Sequence, residues 1–399
     1  TNGNKTLVLE DGASLGHPNS RGAVFQSGSG DDVITTRSGS STLGSFRTNG
    51  GNDILNLAGY RYESNVYAGS GDDTIKLHHD ETSIPFDYVW SSIYGGDDDD
   101  TIEVTGDTVA PLFIYGDEGD DVIDISAGKL RSYDGMSSQV RGGSGDDKLI
   151  GNNDDNFFEG GSGDDSIYGG NGNNTLKGDE GNDSIESGSG NDTLYGGNDD
   201  DILNAGGGND VIYGGTGIDT AVFSGSSSDY RVARVTDLTF GETYYIQDKR
   251  ENSPDGLDTL YDIDKLQFSD NAQVSLEEFY ADKSSEGESG DTLPGTENDD
   301  VIEGFGGSDI ISGLGGDDIL IGGDGDDTIS GGSGTNTIYG GAGDDAITSN
   351  GEGDVVDAGA GNNTIIIGSD ANGGEFTSGD GNDSYVIEEG ATGIFTITS

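Results

Sequence analysis

The residues that could do chemistry in this chain are its aspartates, and they recur at fixed intervals. From Gly142 the sequence reads as nine consecutive nonapeptides to Val222, beginning GGSGDDKLI, GNNDDNFFE and GGSGDDSIY. Their sixth position holds Asp147, Asn156, Asp165, Asn174, Asp183, Asp192, Asp201, Asp210 and Asp219. A second array of eight units, from Gly295 to Ile366, places Asp300, Asp309, Asp318, Asp327, Asp345 and Asp354 in the same way. One further copy, SGDGNDSYV, puts Asp383 there. Carboxylate oxygens are hard donors that suit Ca2+, and the glycines let backbone carbonyls approach an ion. The eighth position is apolar, from Leu149 and Phe158 to Ile212, so each unit ends in a short strand with one inward side chain. A flexible acidic linker needs neither this register nor this apolar position.

The same loop occurs earlier at wider spacing. Units starting at Ser27, Thr48, Ala68, Gly95 and Gly116 carry Asp32, Asp53, Asp73, Asp100 and Asp121, in steps of 21, 20, 27 and 21 residues, with 26 more to Gly142. Two residues before each loop sits an apolar residue (Phe25, Phe46, Val66, Ile93, Ile114, Val140), the inward position of a returning strand. After the loops apolar residues alternate, as in Leu55 and Leu57 or Ile102 and Val104, the period of a half-buried strand. Each coil here keeps one acidic loop and replaces the other with a longer variable segment. Tyr60, Tyr62, Phe86, Tyr88, Trp90 and Tyr133 fall on that variable edge, where they are expected to cover the open side of the solenoid.

These units resemble the RTX (repeats-in-toxin, haemolysin-type calcium-binding) nonapeptide G-G-x-G-x-D-x-U-x. The resemblance implies an all-β chain: calcium-binding parallel β-roll or β-solenoid arrays with a small β-hairpin capping segment between them. It implies two nonapeptides per coil and an ion held between loops of successive coils, with the nineteen aspartates named above as ligands. On that basis the two regular arrays take about 13 ions and the whole chain about 18. One apolar residue per nonapeptide makes a thin core, so cation binding belongs to the folding free energy.

Five segments follow from the spacing: 1–141, wide coils with one acidic loop each; 142–222, a first roll; 223–294, a β-rich cap and linker; 295–366, a second roll; and 367–399, a C-terminal coil with a possible export signal. In the third segment the glycines thin out, and Tyr230-Arg231-Val232 and Tyr244-Tyr245-Ile246 alternate as strands. SPDG at 253–256 reads as a turn, and the FSGS-x-x-DY and DG-x-DTL-x-x-I-x-x-L-x-F patterns resemble hairpin units that follow RTX arrays and are expected to cap an open roll. The stretch from Lys283 to Gly295 reads as a linker.

Composition narrows the function. The chain has 74 glycines, 77 Asp+Glu against 17 Lys+Arg, a formal charge of −60 and no cysteine. Such charge predicts repulsion from nucleic acid and from anionic lipid, and a requirement for cations. No apolar run reaches membrane-spanning length, so no membrane insertion is expected. The sequence does not start at Met and shows no signal peptide; a removed leader, a C-terminal export signal and a fragment are all compatible with it. The histidines are His17, His78 and His79, and neither a zinc-protease motif nor a nucleophile elbow is present. No enzyme is expected. The reading is a secreted calcium-dependent structural surface protein, exported by type I machinery, resembling S-layer and oscillin-type bacterial surface proteins. Its expected partners are calcium, further copies of itself or a cell-surface polysaccharide. Two alternatives are a secretion and folding module of a larger extracellular enzyme, and a calcium-dependent polysaccharide lyase using Arg61, Lys76 or Arg131.

Overall fold

The structure, a computed structural model, describes residues 5–9, 14–15, 24–36, 41–42, 45–58, 65–79, 91–107, 111–129, 138–237, 241–250, 254–270, 272–286 and 289–398. It divides into two compact units, Thr1–Val222 and Phe223–Ser399. Among the described residues, no helix is long and apolar enough to cross a membrane.

In the first unit the chain coils between two parallel sheets. One sheet runs from Thr6–Leu9 through Ile54–Ala58 and Thr101–Asp107 to Thr220–Val222; the other runs from Val24–Gln26 through Ser91–Asp97 to Val211–Thr216. Each strand pairs in register with its counterpart one coil away, as Ile75 with Ile102 and Leu149 with Ile167. Successive coils add 21, 20, 27, 21 and 26 residues, then settle at 18. The wide coils and the two-nonapeptide coils read from the spacing are therefore one continuous solenoid.

The core is the inward row of each sheet. In the narrow coils Leu149, Ile167, Ile185 and Leu203 from one sheet face Phe158, Leu176, Leu194 and Ile212 from the other, all buried. The wide coils bury two side chains per strand, such as Leu55 with Leu57 and Ile102 with Val104. Phe46, Val66, Ile93, Ile114 and Val140 are buried on the returning strands as expected, whereas Phe25 is half-buried against Phe46. Glycine is required where coils touch. Gly143 has φ 137°, and a Cβ there would overlap the carbonyl of Asp117.

The second unit opens with an antiparallel sheet of Tyr230–Asp237, Gly241–Asp248 and Leu257–Tyr261. A buried network fastens it: the Tyr230 hydroxyl donates to Asp255 Oδ2 at 2.5 Å, and Arg250 clasps Asp248 at 2.7 Å. The helix Leu276–Glu286 was not apparent in the sequence pattern. It is held by burial of Leu276 and Phe279 and by the Ser275 hydroxyl, which accepts the Glu278 N–H. The segment read as a linker thus contains the end of this helix and then the strand Thr292–Pro294, which pairs with Ile310–Ser312. The second roll is two parallel six-stranded sheets. The last strands, Ser384–Ile387 and Thr392–Thr398, continue it as further coils.

Candidate metal sites

Each acidic loop turns its sixth-position aspartate inward. Asp73, Asp100, Asp147, Asp183, Asp219 and Asp318 are all buried to within 2% of full exclusion, and their counterparts other than Asp383 are alike. Along each spine Oδ1 accepts the backbone N–H of the equivalent residue one coil earlier. One spine runs from the Lys5 N–H to Asp32, then through Asp53, Asp73, Asp100, Asp121, Asp147, Asp165, Asp183 and Asp201 to Asp219, at 2.5–2.9 Å. The opposite edge carries a second spine, Asn156, Asn174, Asp192, Asp210. The second unit has two more. One links Asp300, Asp318, Asn336 and Asp354. The other links Asp291, Asp309, Asp327, Asp345, Asn363 and Asp383.

The other carboxylate oxygen decides what such a loop can hold. Oδ2 is buried without a hydrogen-bond donor in Asp32, Asp53, Asp73, Asp100, Asp121 and Asp147, and likewise in Asp165, Asp183, Asp192 and Asp201. The same is true of Asp309, Asp318, Asp327 and Asp345 in the second unit. That oxygen converges with a carbonyl of the next coil on the space above a glycine. A Cβ on Gly142 would overlap Asp147 Oδ2 and lie 2.7 Å from the Gly160 carbonyl oxygen; Gly160 stands in the same relation to Asp165 and Gly178. Among the described residues no three His, Cys, Asp or Glu side chains gather around one point. The oxygens come from one carboxylate and the backbone instead.

A buried, ionised and undonated carboxylate is unfavourable unless a cation compensates it. Burial first, then neighbouring loop aspartates, pushes Asp100 and Asp147 up to about 8 and Asp73, Asp121 and Asp165 up to about 7. Asp183, Asp201 and Asp318 also reach about 7. An all-oxygen donor set with a neutral backbone share fits Ca2+, and bound there the ion would supply the charge that keeps these groups ionised.

Some loops depart from this arrangement. Asn156 donates its Nδ2 to the carbonyls of Asp154 at 2.6 Å and Gly169 at 3.0 Å. Asn174 does the same to Gly170, Gly172 and the Ser187 hydroxyl. The amide thus satisfies carbonyls that in the aspartate loops would be available to a cation. At Asp354, Oδ2 accepts from Ser349 Oγ and the Gly351 N–H. At Asp300 it accepts from the Thr296 N–H and hydroxyl. Asp383 is only half-buried.

Two sets of residues escaped the sequence pattern. Asp291, within the supposed linker, heads a spine; its only signal was the Gly-Asp-Thr-Leu ending of a repeat. The fifth-position residues form an outer ladder of opposite polarity: Asp120 Oδ1 accepts the Asp146 N–H, and Asp146 Oδ1 accepts the Asp164 N–H, both at 2.8 Å. Tyr60, Tyr62, Phe86, Tyr88, Trp90, Tyr133, Arg61, Arg131 and His17 lie outside the described residues. Lys76 pairs with Glu103 at 2.6 Å, and His78 Nδ1 lies 2.9 Å from the Thr105 hydroxyl.

The family model for the RTX calcium-binding nonapeptide repeat (four copies) matches residues 91–107, 113–128, 138–221 and 287–365. A comparison with curated proteins finds no match. Among solved structures, the chain is similar to the extracellular lipase LipA from Serratia marcescens, at 18% identity and a TM-score of 0.19 over 65% of this chain. The match spans 37% of the length of that lipase. The stacked loops, their buried carboxylate spines and the matched repeats together make this an RTX-type calcium-binding repeat domain with a β-solenoid fold.

Proposed function

We propose that the chain is a secreted structural surface protein, of the S-layer, filament or adhesin kind, that folds on meeting extracellular Ca2+ and then assembles. The observation that carries this reading is the unbroken carboxylate spine from Asp32 to Asp219, in which the inner oxygens of Asp32 through Asp201 lack donors at coil after coil. A chain with this many buried carboxylates cannot close its coils until cations neutralise them. Low cytosolic calcium keeps it unfolded and exportable through type I machinery; millimolar calcium outside saturates weak sites and drives folding. The role is mechanical, with no catalytic step. Single outward isoleucines, such as Ile54, Ile202 and Ile310, are exposed on the sheet faces and are available for side-by-side contact.

Electron microscopy of the purified chain in millimolar calcium, with an EGTA control, tests this. Ordered sheets or filaments that dissolve in EGTA are the expected result. Isolated rods under all conditions would overturn assembly and point to a module of a larger extracellular protein. Full β circular dichroism in EGTA would overturn calcium-coupled folding.

A further inference from the structure

One outward column of the first unit is rich in tyrosine and cationic side chains. Tyr67, Tyr94 and Tyr115 stand opposite one another on successive coils. Their rings stack with centroids 4.8 and 4.9 Å apart and planes within 7° of parallel. Arg47 precedes them in the same register, its guanidinium 4.4 Å from the Tyr67 ring centroid. Arg141 follows Tyr115, then come Glu159 and Lys177. Tyr195 and Tyr213 complete the column as a second stacked pair at 4.8 Å.

Cross-strand stacking stabilises a sheet by about 0.2–1 kcal/mol per pair, which accounts for neighbouring tyrosines. It does not account for the charges. This column sets Arg47, Arg141 and Lys177 against one carboxylate, Glu159, which pairs with both Arg141 and Lys177. The equivalent outward column of the opposite sheet sets Lys76 against Glu103, Asp124 and Glu186. Cations are scarce in a chain with 17 of them among 399 residues, and three of them, Arg47, Arg141 and Lys177, fall on this line.

The chemistry of that line is directed at anions. Stacked rings cover one another's negative faces, so a partner meets ring edges, the positive side of the aromatic quadrupole, and phenolic hydroxyls. Burial pushes the Tyr115 phenol above its usual value, which keeps it a donor. Arginine adds forked donors suited to carboxylate or sulfate. Except at Glu159, the column offers a donor at each coil along a straight line, which suits a linear polyanion better than a compact one.

We propose that this column is a binding track for an anionic polysaccharide, laid along the solenoid axis with its acidic groups against the arginines, the lysine and the tyrosine edges. The track lies on a single chain and is independent of the assembly proposed above.

The test is affinity electrophoresis of the calcium-loaded full chain, dispersed at low concentration, in gels containing dextran sulfate or neutral dextran. Dextran sulfate is expected to retard the chain, less so with added NaCl, and dextran is expected not to. R141Q with K177Q should weaken retardation about tenfold, and Y115F, which keeps the ring stack, should weaken it measurably. E186Q on the opposite sheet should not weaken it. Absence of retardation, or equal retardation of wild type and R141Q/K177Q, would overturn the track and place any binding at the calcium loops. Sedimentation without polysaccharide separates the remaining case: a dimer abolished by R141Q/K177Q would make the column a contact between copies and overturn the proposal. Because binding is read on dispersed chains, failure to form sheets leaves the result intact.

Discussion

The side-chain amide of Gln247 stands in for a missing coil above Asp300. Its Nε2 donates to Asp300 Oδ1 at 2.7 Å, and its Oε1 accepts the Val301 N–H at 3.3 Å. One coil further on, the same two groups are served by backbone: Asp318 Oδ1 by the Asp300 N–H, and the Ile319 N–H by the Asp300 carbonyl. The hairpin strand therefore caps the second roll by imitating a peptide group. Replacing Gln247 with Ala leaves two buried groups without partners and should cost about 1–3 kcal/mol. Hydrogen exchange is expected to quicken at Val301 and to change little at Ile319.

Asn174 makes a contrasting prediction. Its Nδ2 occupies the space where other loops direct a bare carboxylate oxygen, donating to two carbonyls and to Ser187. Asn174→Asp removes those donors and adds a negative charge among acceptors. Bound calcium per chain, measured after dialysis, should rise by about one ion, and the calcium-free chain should become less ordered. Asp183→Ala should lower the bound calcium instead. By the same reasoning each amide loop should hold less calcium than a loop with aspartate at that position, which the same dialysis would show.

Leu314 sits at a glycine position of its repeat with φ 74° while 48% exposed. A left-handed conformation costs a side chain about 1–2 kcal/mol, and little packing is lost on removing one that is half in solvent. Leu314→Gly should raise the thermal midpoint of the calcium-loaded second roll, as scanning calorimetry would show. An unchanged or lower midpoint would mean that glycine's greater unfolded-state entropy outweighs the relief.

The raised aspartates give a pH dependence whose sign reverses with calcium. Burial and neighbouring loop aspartates push Asp100 and Asp147 up to about 8 in the fold, against about 3.9 for an ordinary aspartate. Between those values the cation-free fold binds more protons than the unfolded chain, so its stability falls as pH rises through the window. Acidifying a calcium-free sample from about pH 7.5 to about pH 5 should therefore increase its β signal in circular dichroism. The calcium-loaded chain should release ions over the same range, because protons and cations compete for the same oxygens. A calcium-free chain that stays unfolded at the acid end would show that protonation cannot replace the ion.

Much of the solenoid was legible because a coil is a periodic object. Once the step is known, register follows: Leu149 must meet Ile167, and Asp147 must meet Asp165, since each lies 18 residues on. The irregular steps were legible too, because an apolar residue two places before each loop marks the returning strand, as Ile93 and Ile114 do. The amino-acid sequence by itself thus determined the coil lengths, the inward rows and the edges along which carboxylates stack. Only the tertiary structure decided which way each polar side chain turns. Whether Asn174 fills its own loop, whether Gln247 reaches Asp300 across 53 residues, and whether Arg47, Arg141 and Lys177 share one outward line all depend on neighbours outside the local pattern. Hydrophobic periodicity reports burial, one residue at a time. Hydrogen bonds and charge pairing need direction and distance, and those exist only once the coils are stacked.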